Sequence, residues 1–269
     1  MSELFSLDGR VAVVTGASGA LGGAMARGLA HAGARVGLLA RRRERVEALA
    51  EEIGADALPL VADVLEREQL EAARAELLDR WGAVHVLVNG AGGNVAEATT
   101  TEERSIFDLP EGPLREALDL NFFGTLLPTQ VFGQAMAEAD GDRCIVNVSS
   151  MAVDRALTRV VGYSAGKAAA ENLTRWLAVE AAKRYGAELR VNAVAPGFFL
   201  GEQNRAMLVG EDGELTERGR AIVDKTPAGR FGEPEELVGT VVYLCSPAAA
   251  FVTGVVVPVD GGFSAFGGV

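Results

Sequence analysis

Val11-Ala12-Val13-Val14-Thr15-Gly16-Ala17-Ser18-Gly19-Ala20-Leu21-Gly22-Gly23-Ala24-Met25-Ala26 decides the architecture. A short β-branched run ends in a glycine-rich turn, and an Ala/Leu-rich stretch then continues to Ala32 and stops at Gly33. The order is strand, tight turn, helix. Gly16 permits the turn, and Ala20 and Gly22 are small enough for the helix to lie close to the sheet and to a ligand. The N–H groups that open such a helix have no partner within it and suit an anion beyond the turn. This is the context that a dinucleotide-binding fingerprint requires.

Outward from this stretch the order repeats. Ala34 to Leu39, Ala57 to Val61 and Val84 to Val88 read as strands, separated by helices over Arg43 to Ile53 and Gln69 to Trp81. Leu114 to Ala139 reads as one long helix holding Asn121, followed by a strand over Arg143 to Val148. A helix over Gly162 to Tyr185 precedes a strand over Leu189 to Val194 that ends in Ala195-Pro196-Gly197. Glu233 to Cys245, with Pro234 in its first turn, is the last helix, and Gly254 to Val259 the last strand. Continuous apolar strands alternating with helices imply a doubly wound α/β fold: a single domain over 1–269 with a mainly parallel Rossmann sheet and helices on both faces. Two stretches break the rhythm. Asn94 to Pro113 is a polar excursion with room for one short helix, and 198–231 is a long irregular insertion expected to act as a substrate lid.

Composition narrows the function. The 269 residues carry 25 Lys and Arg against 37 Asp and Glu, a formal net charge of −12. That balance argues against nucleic acid and against anionic membrane surfaces as partners. No apolar run approaches the ~20 residues that span a bilayer. The start of the chain lacks a basic, apolar leader, so a cytoplasmic location is expected. Cys144 and Cys245 sit in apolar runs and read as buried free thiols, and with His31 and His85 far apart in the chain there is no metal-site pattern.

The chemistry centres on Tyr163-Ser164-Ala165-Gly166-Lys167. Tyr and Lys at this spacing share one helix face. A fixed ammonium beside a phenol lowers its pKa from ~10, and a phenol brought near neutrality exchanges protons with an alcohol or carbonyl. Ser149 and Ser150 end the strand just upstream, and alternation along it turns them in opposite directions.

The Y-x-x-x-K pair, the serine before it and the glycine turn together resemble the short-chain dehydrogenase/reductase family over essentially the whole chain. The resemblance implies that Tyr163 moves a proton, that Lys167 lowers the Tyr163 pKa and binds the nicotinamide ribose, and that Ser150 rather than Ser149 holds the substrate oxygen. It also implies that Asn121 holds a water in the proton relay. Gly16, Ser18, Gly19, Ala20, Leu21 and Gly22 would cradle the pyrophosphate, with Asp63 and Val64 at the adenine. Asn89, Gly90, Ala91 and Gly92 match the family's N-[NG]-A-G loop, and Pro196, Gly197 and Phe198 would line the nicotinamide. The family's usual Thr after Pro196-Gly197 is here Gly201, which leaves the carboxamide contact in doubt.

The strand that ends at Ala40 lacks the acidic residue that binds ribose hydroxyls in NAD enzymes of this fold, while Arg41 and Arg42 can pair with a 2′-phosphate. NADP is therefore preferred to NAD.

Phe198 to Arg205, Glu211 to Gly219, Thr226 to Glu235, Gly124 to Gln130 and Asn94 with its Thr-rich loop are similar to the D-mannonate oxidoreductase (fructuronate reductase) branch. That branch interconverts D-mannonate and D-fructuronate. Gln203, Asn204 and Arg205 make the lid polar, and Arg205 or Arg155 could pair with a carboxylate or could only form surface ion pairs. Rival readings are a reductase of another polyol or 3-oxoacid (like gluconate 5-dehydrogenase or 3-oxoacyl reductases) and a non-catalytic NADP-binding regulatory protein. Relatives of this family usually assemble as tetramers, so a homotetramer or homodimer is expected.

Overall fold

β1 (Val11–Thr15) is the centre because two strands pair with it in parallel, β2 (Arg35–Ala40) on one side and β4 (Val86–Asn89) on the other. The computed structural model describes residues 3–201, 205 and 207–267. In it β3 (Ala57–Val61), β5 (Arg143–Val148), β6 (Leu189–Pro196) and β7 (Val256–Val259) complete a parallel sheet of seven strands in the order β3-β2-β1-β4-β5-β6-β7. The chain first winds from β1 outward to β3, then crosses to β4 and winds the other way. Between β1 and β4 the strand order reverses, and the carboxyl ends of the strands open there as a crevice.

Alternation along the strands supplies two apolar layers. Ala12 and Val14 of β1 face α1 (Ala20–His31), α2 (Arg43–Ile53) and α8 (Val238–Cys245), meeting Met25, Leu29, Val46 and Val241. Val11 and Val13 face α3 (Arg67–Trp81), α5 (Gly124–Glu138) and α6 (Val161–Tyr185), meeting Leu70, Leu77, Phe132 and Met136. Every residue of β1 and β5 is buried, which explains why these strands read as mainly apolar runs, with Thr15, Arg143 and Asn147 as buried polar exceptions.

The long helix expected over Leu114 to Ala139 is broken. α4 (Glu111–Leu118) runs into a π-helical turn at Asp119–Phe123, and only then does α5 begin. Gly124, and Pro128 with no N–H to return to the preceding turn, weaken the helix here. The turn carries Asn121, and such wide turns occur mostly where function needs them. The insertion at 198–231 is not wholly irregular either. It holds α7 (Glu217–Asp224), capped by Thr216 Oγ1, which accepts from Gly219 N at 3.0 Å. Leu208, Ile222 and Phe231 give it a small apolar core of its own.

One buried cation pins the far end of the sheet. Arg190 on β6 is 1% exposed. Its Nε and Nη2 donate to the Asp142 carboxylate at 3.1 Å each, and its Nη1 donates to the Leu244 carbonyl at 2.7 Å. The fold also joins the two cysteines, distant in sequence: Cys144 Sγ donates to the Leu244 carbonyl at 3.2 Å, beside Cys245. Truncation of Arg190 leaves a cavity and orphans the carboxylate and carbonyls around it. Arg190→Ala should therefore cost about 3–5 kcal/mol in urea unfolding; an unchanged midpoint would contradict this reading.

Candidate active site

Three loops meet at the crevice. Thr15, the last residue of β1, ties two of them together: its Oγ1 accepts from Gly90 N and Ala91 N, both at 3.1 Å. Gly16 has φ +70°, and a Cβ on it would stand 2.7 Å from the Gly90 carbonyl oxygen. A Cβ on Gly22 would stand 2.1 Å from the Gly16 carbonyl oxygen, so the helix can pack this tightly only without side chains. Ser18, Gly19, Ala20 and Leu21 complete the turn into α1.

At the rim, Arg42 donates to the Ser18 carbonyl at 3.1 Å, and Arg41 faces Asp63 Oδ2 at 3.6 Å with its side chain 73% exposed. Arg42 thus stands beside the turn that would take the phosphates, while Arg41 lies toward Asp63. Val64 is buried, with Gly124 beside it. Pro196 ends β6, and Gly197 N donates to the Val259 carbonyl at 3.0 Å before Phe198 stacks edge-on against Phe263.

Asn89 does not face the crevice, contrary to the expectation from the N-[NG]-A-G loop. Its side chain is fully buried, and Nδ2 donates to Thr129 Oγ1 and Asn147 Oδ1 at 2.8 Å each. Asn147 Nδ2 in turn donates to Thr174 Oγ1 on α6 at 2.8 Å. Asn89 therefore braces strands and helices under the loop that Gly90, Ala91 and Gly92 continue.

α6 brings the reactive groups over this floor. Lys167 is 2% exposed and its Nζ donates to the Val148 carbonyl at the end of β5, at 2.7 Å. Two of its three N–H groups remain for other acceptors. Ser149 and Ser150 turn apart as the strand dictates. Ser149 Oγ donates to the buried Glu171 carboxylate at 2.7 Å, while the Ser150 hydroxyl hydrogen-bonds the Tyr163 phenol. Glu171 was not singled out in the sequence. Its place one turn after Lys167, on the buried face of α6, was the available signal.

Asn121 spends its amide within the protein: Nδ2 donates to the carbonyls of Gly93 and Ala117 at 2.8 Å each, and Oδ1 accepts from Gly93 N at 3.1 Å. A Cβ on Gly92 would lie 2.8 Å from both Asn121 Oδ1 and Lys167 Nζ. The residues present fit a dinucleotide: Gly16 and Gly22 leave no room for a side chain in the turn, Arg42 stands at its rim and the buried ammonium keeps N–H groups in reserve.

The electrostatics correct one expectation. Burial raises the Tyr163 pKa above its ordinary value, with the Ser150 hydrogen bond pulling it down in part. Lys167 does not reverse this; its Nζ lies 5.8 Å from the ring centre, and burial lowers its own pKa to about 8. Desolvation outweighs the ammonium's influence on the phenol. In the chain alone the phenol is therefore neutral, and the ammonium gives up its proton readily.

The proposed substrate residues scatter. Arg155 donates to the Ser264 carbonyl, which ties the loop after Ser150 to the C-terminal segment. Arg205 is exposed, and Gln203 and Asn204 lie outside the described residues. A Cβ on Gly201 would sit 3.5 Å from Ala20 Cβ, so the position of the missing threonine borders the glycine turn. His85 is structural, its Nδ1 accepting from Val11 N at 3.0 Å. Among the described residues no group of His, Cys, Asp or Glu could hold a metal ion, and no helix is long and apolar enough to cross a membrane.

Residues 16–264 match the family model described as enoyl-(acyl carrier protein) reductase. The chain belongs to the short-chain dehydrogenase/reductase family. It is thereby an NAD(P)-dependent oxidoreductase of alcohol and carbonyl groups. The uncharacterized oxidoreductase UxuB of Bacillus subtilis is 45% identical, with 98% of each chain covered. The L-tagatose-forming galactitol 2-dehydrogenase of Cereibacter sphaeroides is 38% identical over 97% of each. A structure from Haemophilus influenzae with bound NAD, described as a candidate D-mannonate oxidoreductase, superposes with a TM-score of 0.91 at 40% identity over 98% of each chain. A gluconate 5-dehydrogenase from Burkholderia cenocepacia, in complex with NADP and tartrate, gives 0.86 at 32% identity over 98% of each chain. Members of this family act on sugar-like alcohols, as these dehydrogenases do.

The site generates two tests. Gly92→Ala should lower kcat/KM by about 100-fold, since small displacements of reacting groups are costly, and lower the melting temperature as well, because the added Cβ meets the buried Asn121 and Lys167 side chains; wild-type activity and stability would show that the close approach does not matter. Lys167 titrates near 8 when folded, against 10.5 for the ordinary side chain. Over that window the unfolded chain holds a proton that the folded chain has lost, so this group makes stability rise with pH. At pH 7 its burial costs stability in full. Lys167→Met should therefore unfold at higher denaturant than the wild type at pH 7, and the gap should shrink as pH approaches 10. A variant less stable than wild type at pH 7 would contradict the shift.

Proposed function

We propose that this protein interconverts D-mannonate and D-fructuronate with NADP, or with NAD as the lesser cofactor. The observation that carries the catalytic part is the hydrogen bond of the Ser150 hydroxyl to the Tyr163 phenol, with Lys167 buried one helical turn deeper on the same face. In this reading Ser150 holds the substrate oxygen. Tyr163 Oη gives a proton to that oxygen in reduction and takes it back in oxidation. Burial keeps the phenol protonated, which suits the reductive direction. Lys167 uses the N–H groups that Val148 leaves free to orient the ribose, and Asn121 keeps the Gly92-Gly93 backbone and the ammonium in register. The Asn121 carbonyl, which accepts from Thr125 Oγ1 at 3.2 Å, would take the relay water. A bound nicotinamide supplies or accepts the hydride; the chain orients it and excludes water.

The substrate reading rests on the lid resemblance, on the 40% identical structure described as a candidate D-mannonate oxidoreductase and on the tartrate bound to the gluconate 5-dehydrogenase. The NADP preference rests on Ala40, Arg41 and Arg42, against a similar structure that holds NAD. The galactitol dehydrogenase favours a neutral polyol as the alternative substrate. A cytoplasmic location and a homotetramer or homodimer belong to the same proposal, with Trp176 and Val179 on α6 and Phe251 before β7 as exposed apolar positions that such an assembly would cover.

Nicotinamide absorbance with the purified protein tests this reading. The panel is D-mannonate, D-fructuronate, other sugar acids and neutral polyols, each with both cofactors. Turnover should be confined to the mannonate/fructuronate pair. Arg41→Ala should raise KM for NADP about tenfold, the size of one charge-assisted hydrogen bond, and leave KM for NAD unchanged. Preferred turnover of polyols would replace the substrate reading, and an unmoved KM for NADP would remove Arg41 from it.

A further inference from the structure

Three strand ends are laced together at the crevice. Met151 N, one residue after Ser150, donates to the Pro196 carbonyl at the end of β6 at 3.1 Å, and Gly197 N donates to the Val259 carbonyl at the end of β7 at 3.0 Å. A Cβ on Gly197 would stand 2.7 Å from Asp260 Cα, so the start of the lid lies directly on the segment that leaves β7.

That segment orders itself. Gly261 and Gly262 take positive φ, 62° and 88°, a region that favours glycine. The Asp260 carboxylate then accepts from Gly262 N at 2.9 Å and from Ser264 N at 2.8 Å. Ala265 N and Phe266 N both donate to the Gly262 carbonyl at 3.1 Å. These bonds present Phe263 and the Ser264 carbonyl from one small, closed turn.

The turn has three attachments. Phe263 stacks edge-on against Phe198, with ring centres 5.4 Å apart, and joins the apolar core of the lid. The Gly261 carbonyl accepts from Ala228 N, near the far end of the lid, at 3.0 Å. The Ser264 carbonyl accepts from Arg155 Nη2. Arg155 belongs to the turn that Ser150 opens. Ala152 N donates to Ser150 Oγ at 3.2 Å, Val153 N to the Ser150 carbonyl at 3.1 Å, and Arg155 N to the Met151 carbonyl at 3.0 Å. A chain of contacts therefore runs from Ser150 through Arg155 and Ser264 to Phe263, and on to Phe198 beside Gly197. The Ser150 turn and the lid leave different strands, and such loops open at low cost unless they are tied down.

We infer that segment 260–266 is a strap that keeps the Ser150 turn and the lid in register, with Arg155 and Phe263 as the positioning residues at its two ends. Arg155, a candidate for the substrate carboxylate by sequence, acts on the substrate only through the Ser150 turn. The strap rests on the reading of Ser150 as the residue that holds the substrate oxygen, and does not depend on which alcohol or carbonyl compound that is.

A double-variant cycle tests it, run with whichever of the sugar acids and polyols the wild type turns over fastest. The variants are Arg155→Met, Phe263→Ala and the two together, with melting curves to show that each is folded at the assay temperature. Phe263→Leu, which keeps most of the apolar volume, repeats the cycle if the alanine variant does not fold. Either single change should lower kcat/KM about tenfold, the size of one charge-assisted hydrogen bond. The pair should lose little more than either alone, because both ends serve one device. Arg155→Lys should recover most of the loss, since one carbonyl needs one donor. Losses that multiply to about a hundredfold make the two residues independent and overturn the strap. Wild-type kcat/KM in either single variant also overturns it. Ser150→Ala separates the two readings: wild-type turnover in that variant overturns the role of Ser150 and the strap with it, whereas a strong loss there beside multiplying losses in the cycle overturns the strap alone.

Discussion

Lys167 has to give up its water. An ammonium that is 2% exposed loses solvation that one hydrogen bond, to the Val148 carbonyl at 2.7 Å, does not replace. The local architecture is arranged around this group. The bond fixes α6 against the last residue of β5, which sets the height of Tyr163 above the crevice. It also fixes the point at which β5 ends and its serines diverge. The Ser149 bond to Glu171 secures one branch, and the other leaves Ser150 against the Tyr163 phenol. Gly92 must lack a side chain because Asn121 and Lys167 fill the space that one would take.

A second tier holds this arrangement still. Asn89, Thr129, Asn147 and Thr174 form a buried chain of hydrogen bonds running from β4 through α5 and β5 to α6. Thr125 extends it to the carbonyl of Asn121 in the π turn. Buried polar networks of this kind specify one arrangement when their members are satisfied. This one links the glycine-lined loop, the wide turn and α6, with Asn89 Oδ1 left as its one buried atom without a partner among the described residues. The cost is a site whose two titratable groups are both pushed toward their neutral forms.

Much of this could be read in the sequence because burial and periodicity speak locally. β1, β3 and β5 are apolar runs bounded by turn residues, and the glycine turn declared the first βα unit. Tyr163, Lys167 and Ser150 fell together because helix and strand periods place them. Residues whose meaning depends on distant partners did not announce themselves. Glu171 looks like any helical acid until Ser149 arrives from another element. Asn121 sat in an apparent continuous helix, since a π turn has no period of its own. Asn89 was read as part of a ligand loop, though strand alternation turns its side chain to the helix layer. The Tyr–Lys influence was misjudged for the same reason: spacing gives proximity, whereas burial depends on the whole fold.

The central claim is that the Tyr163 phenol transfers the proton while the rest of the site only holds and orients. Single-turnover absorbance of bound NADPH with D-fructuronate, in the wild type and in Tyr163→Phe, addresses it directly, with a fluorescence titration of NADPH binding on both proteins. The account predicts unchanged NADPH affinity and no detectable oxidation of the bound cofactor in the variant. Oxidation at a rate close to that of the wild type would contradict it.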